Sequence, residues 1–203
     1  MLDSDSTSVV IAGASTADAD VAAGIRLANL AWVVLALAAM AAVIERGDLW
    51  ALDFTHVLAG LLWTGIDLFM GFVIGPVLRR LPLAGRRAIV CRLMPKMLFL
   101  MPTLSIVTGT TGYVLAARMG FLDLAYPAFG WVMAALVIIA VLTVQGLGIL
   151  LPTNLLVYFE IRKPTPNTAI IDRLMRGYVR VVALQGIFQI AIIAVMARFA
   201  TGI

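Results

Sequence analysis

Five stretches of this sequence stay apolar for about twenty residues or more, and nothing else in it narrows the possible folds as far. They run roughly over 27–44, 52–78, 95–117, 128–159 and 178–199. An α-helix rises ~1.5 Å per residue, so about 20 mostly apolar residues cover the ~30 Å of bilayer hydrocarbon. The sequence predicts an all-α, polytopic transmembrane helical bundle of about five spans, preceded by a polar tail over 1–26. The fourth stretch exceeds a straight crossing, so it tilts or projects into water. Pro152 is expected to kink it where it leaves the membrane.

Composition supports the same reading. Of 203 residues, 63% are hydrophobic and 13% charged, the latter about half the ~25% of soluble domains. A water-solvated globule this apolar would lack polar surface; a lipid-solvated one needs little. The tail carries Asp3, Asp5, Asp18 and Asp20 and no basic residue before Arg26. A secretory signal places positive charge before its apolar core, so the chain is expected to insert through its first span. Cys91 is the only cysteine, which rules out an intrachain disulfide, and it falls in a basic loop with no ligand partner.

Basic residues set an orientation. With five spans, Arg26, Arg79, Arg80, Arg86, Arg87, Arg92, Lys96, Arg162, Lys163, Arg173, Arg176 and Arg180 share one side, and only Arg46, Arg118 and Arg198 take the other. Lys and Arg near span ends stay cytoplasmic. The amino terminus is therefore expected inside and the carboxyl terminus outside, in a bacterial-type inner membrane. The basic loops suit anionic lipid headgroups as well. Without an aromatic-interleaved basic module, nucleic-acid binding is not expected.

Polar residues inside the spans point to function. An ionisable residue at mid-bilayer costs roughly 2.5–3.5 kcal/mol on insertion scales, so one that is present is a functional candidate. Asp67, near the middle of the second span, is the candidate catalytic or coupling group. Steps of three and four place Asp53, His56, Gly60, Trp63, Asp67 and Met70 on one stripe. Gly60 removes bulk beside His56, letting a helix or flat cofactor approach. Gly71 and Gly75 form a GxxxG pair suited to close helix packing. Partners at comparable depth are Ser105 and Thr108 in the third span, Thr143, Gln145 and Asn154 in the fourth, and Gln185 and Gln189 in the fifth. Hydroxyls and amides of this kind serve more often as interhelical contacts than as a substrate site, but a carboxylate is rarely needed for that.

The run His56-Val-Leu-Ala-Gly-Leu-Leu-Trp63-Thr-Gly65 resembles the histidine-bearing helix of the HemJ-type protoporphyrinogen oxidases and the copper-resistance D-type membrane proteins. The stretch from Arg92-Leu-Met-Pro95 to Thr108-Gly109 is similar to the HemJ pattern too. The likeness covers some seventy residues. It implies a haem b or redox-linked site with His56 as ligand. The chain departs from the pattern by an extra amino-terminal span and by lacking a match to the family's functional lysine, since Lys163 falls on the other side of the membrane from His56.

Three functions follow as expectations. The first is a haem b-binding redox protein or subunit. With one histidine, His56 would pair with a thioether or with a second His56 across a homo-oligomer. Met40, Met133 and Met196 lie near the same outer ends, and Gly60, Trp63, Met133 and Met196 complete the candidate cofactor-binding set. The second is a proton-coupled or copper transporter built on Asp67, with Met94, Met97 and Met101 on one helical face as soft ligands for Cu(I). The third is an accessory or assembly subunit of a larger membrane complex. No CxxC, CxxCH, HExxH or phosphate loop is present.

Overall fold

The computed structural model describes residues 29–202, and among these it contains helices and turns but no strand. Five helices run up and down: α1 (Asn29–Arg46), α2 (Leu49–Arg80), α3 (Leu83–Arg118), α4 (Phe129–Ile161) and α5 (Thr168–Ala200). The helices α2 to α5 are each long and apolar enough to cross a membrane, and α1 is described over 18 residues. The protein is an all-α transmembrane helical bundle. The tail expected over 1–26, with Arg26, lies outside the described residues.

Short, well-capped turns reverse the chain. Asp48 accepts a hydrogen bond from the Trp50 backbone N–H at 3.1 Å and starts α2. Asn167 does the same for Ile170 at 3.2 Å and starts α5. These satisfy helix-end donors that have no intrahelical partner. Gly120, at φ 73°, follows α3 in the left-handed region that only glycine enters freely. Arg118 donates to the Ile44 carbonyl, tying the end of α3 to the end of α1.

The helices outrun their apolar stretches. At ~1.5 Å per residue the 36 residues of α3 span about 54 Å, against ~30 Å of hydrocarbon. The excess falls at the arginine-rich end. There α3 extends back to Leu83 and α5 back to Thr168, well before the expected boundaries at 95 and 178. Cys91 is consequently not in a loop: it is buried within α3. It joins Val90, Met94, Val157, Tyr158, Ile161 and Ile171 in a hydrophobic core, with Arg86, Arg87 and Arg92 turned outward or half-buried.

Packing within the membrane is different. Mid-bundle burial takes in Thr103, Thr108, Thr111, Gln145, Gln185 and Gln189 alongside Trp63, Val107 and Leu142, while Leu61, Phe72 and Ile187 are more than 60% exposed. Acyl chains solvate such residues as well as a protein core does. Close approach is made at glycines instead. A Cβ on Gly71 would lie 2.5 Å from Val182 Cγ1, and one on Gly186 would meet Leu68 at 3.3 Å, so α2 and α5 nest together. Gly75, the other half of the GxxxG pair, meets only the Met70 carbonyl of its own helix.

Two π-helical turns interrupt the rods, Met70–Ile74 in α2 and Val144–Leu150 in α4. Each ends just before a Gly75-Pro76 or Leu151-Pro152 pair, and the residue preceding the proline bonds five residues back, to Met70 and Gly146. Proline cannot donate and crowds the carbonyl four residues earlier. The expected disturbance at Pro152 thus takes the form of a widened turn in the middle of α4.

Candidate functional site

The α2 stripe divides into two environments. Its upper part, His56 and Gly60, packs against α3. The His56 ring lies against Gly112, where a Cβ would come within 2.5 Å of Cε1. Its Nδ1 is 3.0 Å from the Thr108 carbonyl oxygen. A carbonyl only accepts, so Nδ1 is the donor in this contact, and in the neutral tautomer that fits it the lone pair lies on Nε2. Gly60 sits beside Thr108 Cγ2 at 3.4 Å for an added Cβ; what its missing side chain admits is a neighbouring helix.

The lower part, Trp63, Asp67 and Met70, faces a cavity of about 70 Å³ bounded by α3, α4 and α5. Asp67 Oδ2 accepts from Gln189 Nε2 at 2.8 Å and from Gln185 Nε2. The two glutamines are four residues apart, hence one turn apart on a single face of α5, which lets both reach one oxygen. They are 3% and 1% exposed. Trp63, one turn from Asp67, lines the same cavity.

The rest of the cavity combines thioethers with polar groups. Met94, Met97, Met101 and Ser105 line it from α3, Gly146 and Asn154 from α4, and Tyr178 from α5. Both π turns touch the site, through Met70 and through Gly146 to Leu150. Three amide oxygens on residues that line the cavity or bond Asp67 have no hydrogen-bond partner among the described residues: Asn154 Oδ1, Gln185 Oε1 and Gln189 Oε1. Buried groups of this kind are normally paired.

No family model, curated protein or solved structure matches the chain.

The structure brings some sequence candidates together and separates others. Asp67, Trp63, Gln185 and the Met94–Met97–Met101 face share one cavity. Gln189 reaches Asp67 directly, whereas Thr108 engages His56 through its carbonyl and Gln145 is buried apart. Met133 is 44% exposed on α4, and Met196 is half-buried on α5; neither lines the Asp67 cavity. No group of three or more His, Cys, Asp or Glu placed to hold a metal occurs among the described residues, so the sulfur donors here are thioethers. Tyr178 escaped sequence reasoning because it sits where the fifth apolar stretch begins. The usable signal was its spacing of seven from Gln185, two turns along the same face.

Proposed function

We propose that this protein is a transporter of a bacterial-type inner membrane, amino terminus inside, in which Asp67 binds cargo or coupling protons. The observation that carries the reading is a carboxylate within a membrane-spanning helix, held by two buried glutamines and facing a cavity between four helices. Such a group is expensive to insert, and simple helix adhesion does not require a cavity beside it. When Asp67 is charged it attracts the two amides and any cation in the cavity; when protonated it releases both. That alternation can couple a proton to a cargo. In the copper version of the reading, Met70 adds a fourth thioether to the three on α3. Proteoliposomes containing a pH-sensitive dye test the role of Asp67. Cation-driven proton movement should occur with wild type and vanish in Asp67→Asn; equal rates would refute the proposal.

A second reading, a haem b-linked redox protein of the HemJ or copper-resistance D type, gains support from His56. An imidazole that donates Nδ1–H to a carbonyl and keeps Nε2 free is oriented as metal-bound histidines usually are. Haem would be held by His56 with a thioether such as Met133 or Met196, or with a second His56 across a homo-oligomer, and would supply one-electron chemistry. Purified protein should then give a haem b difference spectrum that is lost in His56→Ala. A colourless, iron-free preparation from haem-replete cells would end this reading.

A further inference from the structure

The Asp67 cavity is partly open, and the packing of the helices shows where its open side faces. Below it, α3, α4 and α5 close on one another in the core that holds Val90, Val157 and Ile171. At the outer end α3 and α4 meet again on the turn Phe121–Asp123. Between these points, among the described residues, they part. There α3 packs chiefly on α1 and α2, and Phe129–Thr143 of α4 packs chiefly on α5. The cavity sits at the lower end of this gap, with Met97 and Met101 on the α3 side and Gly146 and Leu147 on the α4 side. Because α2 packs on both α3 and α5, it forms the wall across from the gap and carries Asp67 there. Gly146 bears out the separation. The seam glycines Gly71 and Gly112 have a side chain where a Cβ would go, whereas at Gly146 nothing described lies within 4 Å. Asp67 keeps accessible surface of its own, and Leu147 at the rim is 41% exposed.

Depth decides what can use this opening. Apart from Met94, every lining residue falls within the apolar stretches 52–78, 95–117, 128–159 and 178–199, so the gap faces acyl chains. Whatever enters there must first dissolve in hydrocarbon. A hydrated inorganic ion does not, because a compact charge loses too much on leaving water. An acyl chain does, but offers nothing to a carboxylate. An organic cation with its charge on a large apolar body meets both conditions. It partitions into the bilayer, its charge meets Asp67, and its body lies against thioethers and the Trp63 ring. We infer that the Asp67 cavity binds a membrane-dissolved organic cation admitted sideways between α3 and α4, as the cargo in the transport reading on which this inference rests.

Tetraphenylphosphonium, which enters bilayers, and tetramethylammonium, which stays in water, carry the same charge and serve as probes. The full chain in phosphatidylcholine nanodiscs should bind labelled tetraphenylphosphonium saturably, above protein-free discs. Tetramethylammonium should compete at least about a hundredfold less well, and Asp67→Asn should weaken binding at least about tenfold. Gly146→Leu adds bulk at the rim without a clash and should weaken binding by about tenfold as well. Gly148 stands in the same π turn with equal free space but does not line the cavity, so Gly148→Leu should bind as wild type does. Thermal unfolding checks that each variant is folded, and the two glycine variants decide the matter even if Asp67→Asn is not. No saturable binding to folded wild type, equal effects at the two glycines, or equal competition by tetramethylammonium would each overturn the inference. If tetraphenylphosphonium fails to bind while an inorganic cation still drives Asp67-dependent proton movement, the inference falls and the transport reading stands. If it binds at Asp67 but its gradient moves no protons in proteoliposomes, the site stands and transport falls.

Discussion

Replacing Gly112 by alanine tests the seam between α2 and α3. The new Cβ would lie 2.5 Å from His56 Cε1, 2.9 Å from Nδ1 and 3.4 Å from Nε2. Non-bonded carbons rest at about 3.5–4.0 Å, so the ring must retreat by about 1 Å. It is tethered by the 3.0 Å bond from Nδ1 to the Thr108 carbonyl, and a retreat of that size takes the bond out of range. The lost bond costs about 0.5–1.5 kcal/mol, and overpacking about 1–3 kcal/mol. Removing glycine from a helix returns up to ~1 kcal/mol. Gly112→Ala should thus destabilise the protein by about 1–3 kcal/mol. In a His56→Ala background nothing remains to clash, and the same change should be neutral or stabilising. The coupling between the two sites should be about 2–4 kcal/mol. Reversible unfolding in mixed micelles, followed by circular dichroism, measures all four corners of the cycle. If Gly112→Ala costs the same with and without His56, the close contact described above does not exist.

Further predictions concern packing in the two solvents. Ile161 is fully buried in the core at the arginine-rich end, so Ile161→Ala should cost about 2–5 kcal/mol. Leu61, 67% exposed on α2, should tolerate alanine within about 0.5 kcal/mol; similar losses at both would contradict this placement of water and lipid. Gly71→Ala drives a Cβ to 2.5 Å from Val182 Cγ1 and should cost about 1–3 kcal/mol. Val182→Ala should recover most of that in the same unfolding assay, and a lack of recovery would mean that α2 and α5 do not meet there.

Much of the fold could be read in advance, because a span must be apolar along its whole length and little else in a sequence is. The turns of α3 and α5 beyond the apolar stretches could not be found that way. Over 83–94, Val90, Cys91 and Met94 are interleaved with Arg86, Arg87 and Arg92, an amphipathic pattern that a search for uniform hydrophobicity passes over. Asp67 stood out through its insertion cost alone. Its partners were harder to choose, since Gln145, Gln185 and Gln189 all lie at a plausible depth. Which of them meets the carboxylate depends on how α4 and α5 are rotated, and sequence spacing within one helix does not determine that. The spacing of four between Gln185 and Gln189 did hold the answer, because only a pair on one face can converge on one oxygen. Along the stripe on α2, α3 covers His56 and Gly60 and the cavity takes Trp63, Asp67 and Met70, while Asp53 is exposed.

The division of packing forces bears on whether Asp67 is a site or merely an adhesive contact. At the aqueous end, apolar burial can hold helices together because water is present to be excluded. Inside the lipid that force is absent, and specificity falls to close glycine contacts and to hydrogen bonds. A carboxylate between two glutamines could serve that purpose alone. Adhesion, however, favours complete pairing, as at Thr103 and Thr111, whose hydroxyls donate to Phe99 and Val107 carbonyls within their own helix. Around Asp67 pairing is one-sided. Each glutamine satisfies the carboxylate with its nitrogen and leaves its oxygen without a partner among the described residues. One-sided pairing of this kind is poor as adhesive, and that is the ground for preferring the proposed transport role to simple helix adhesion.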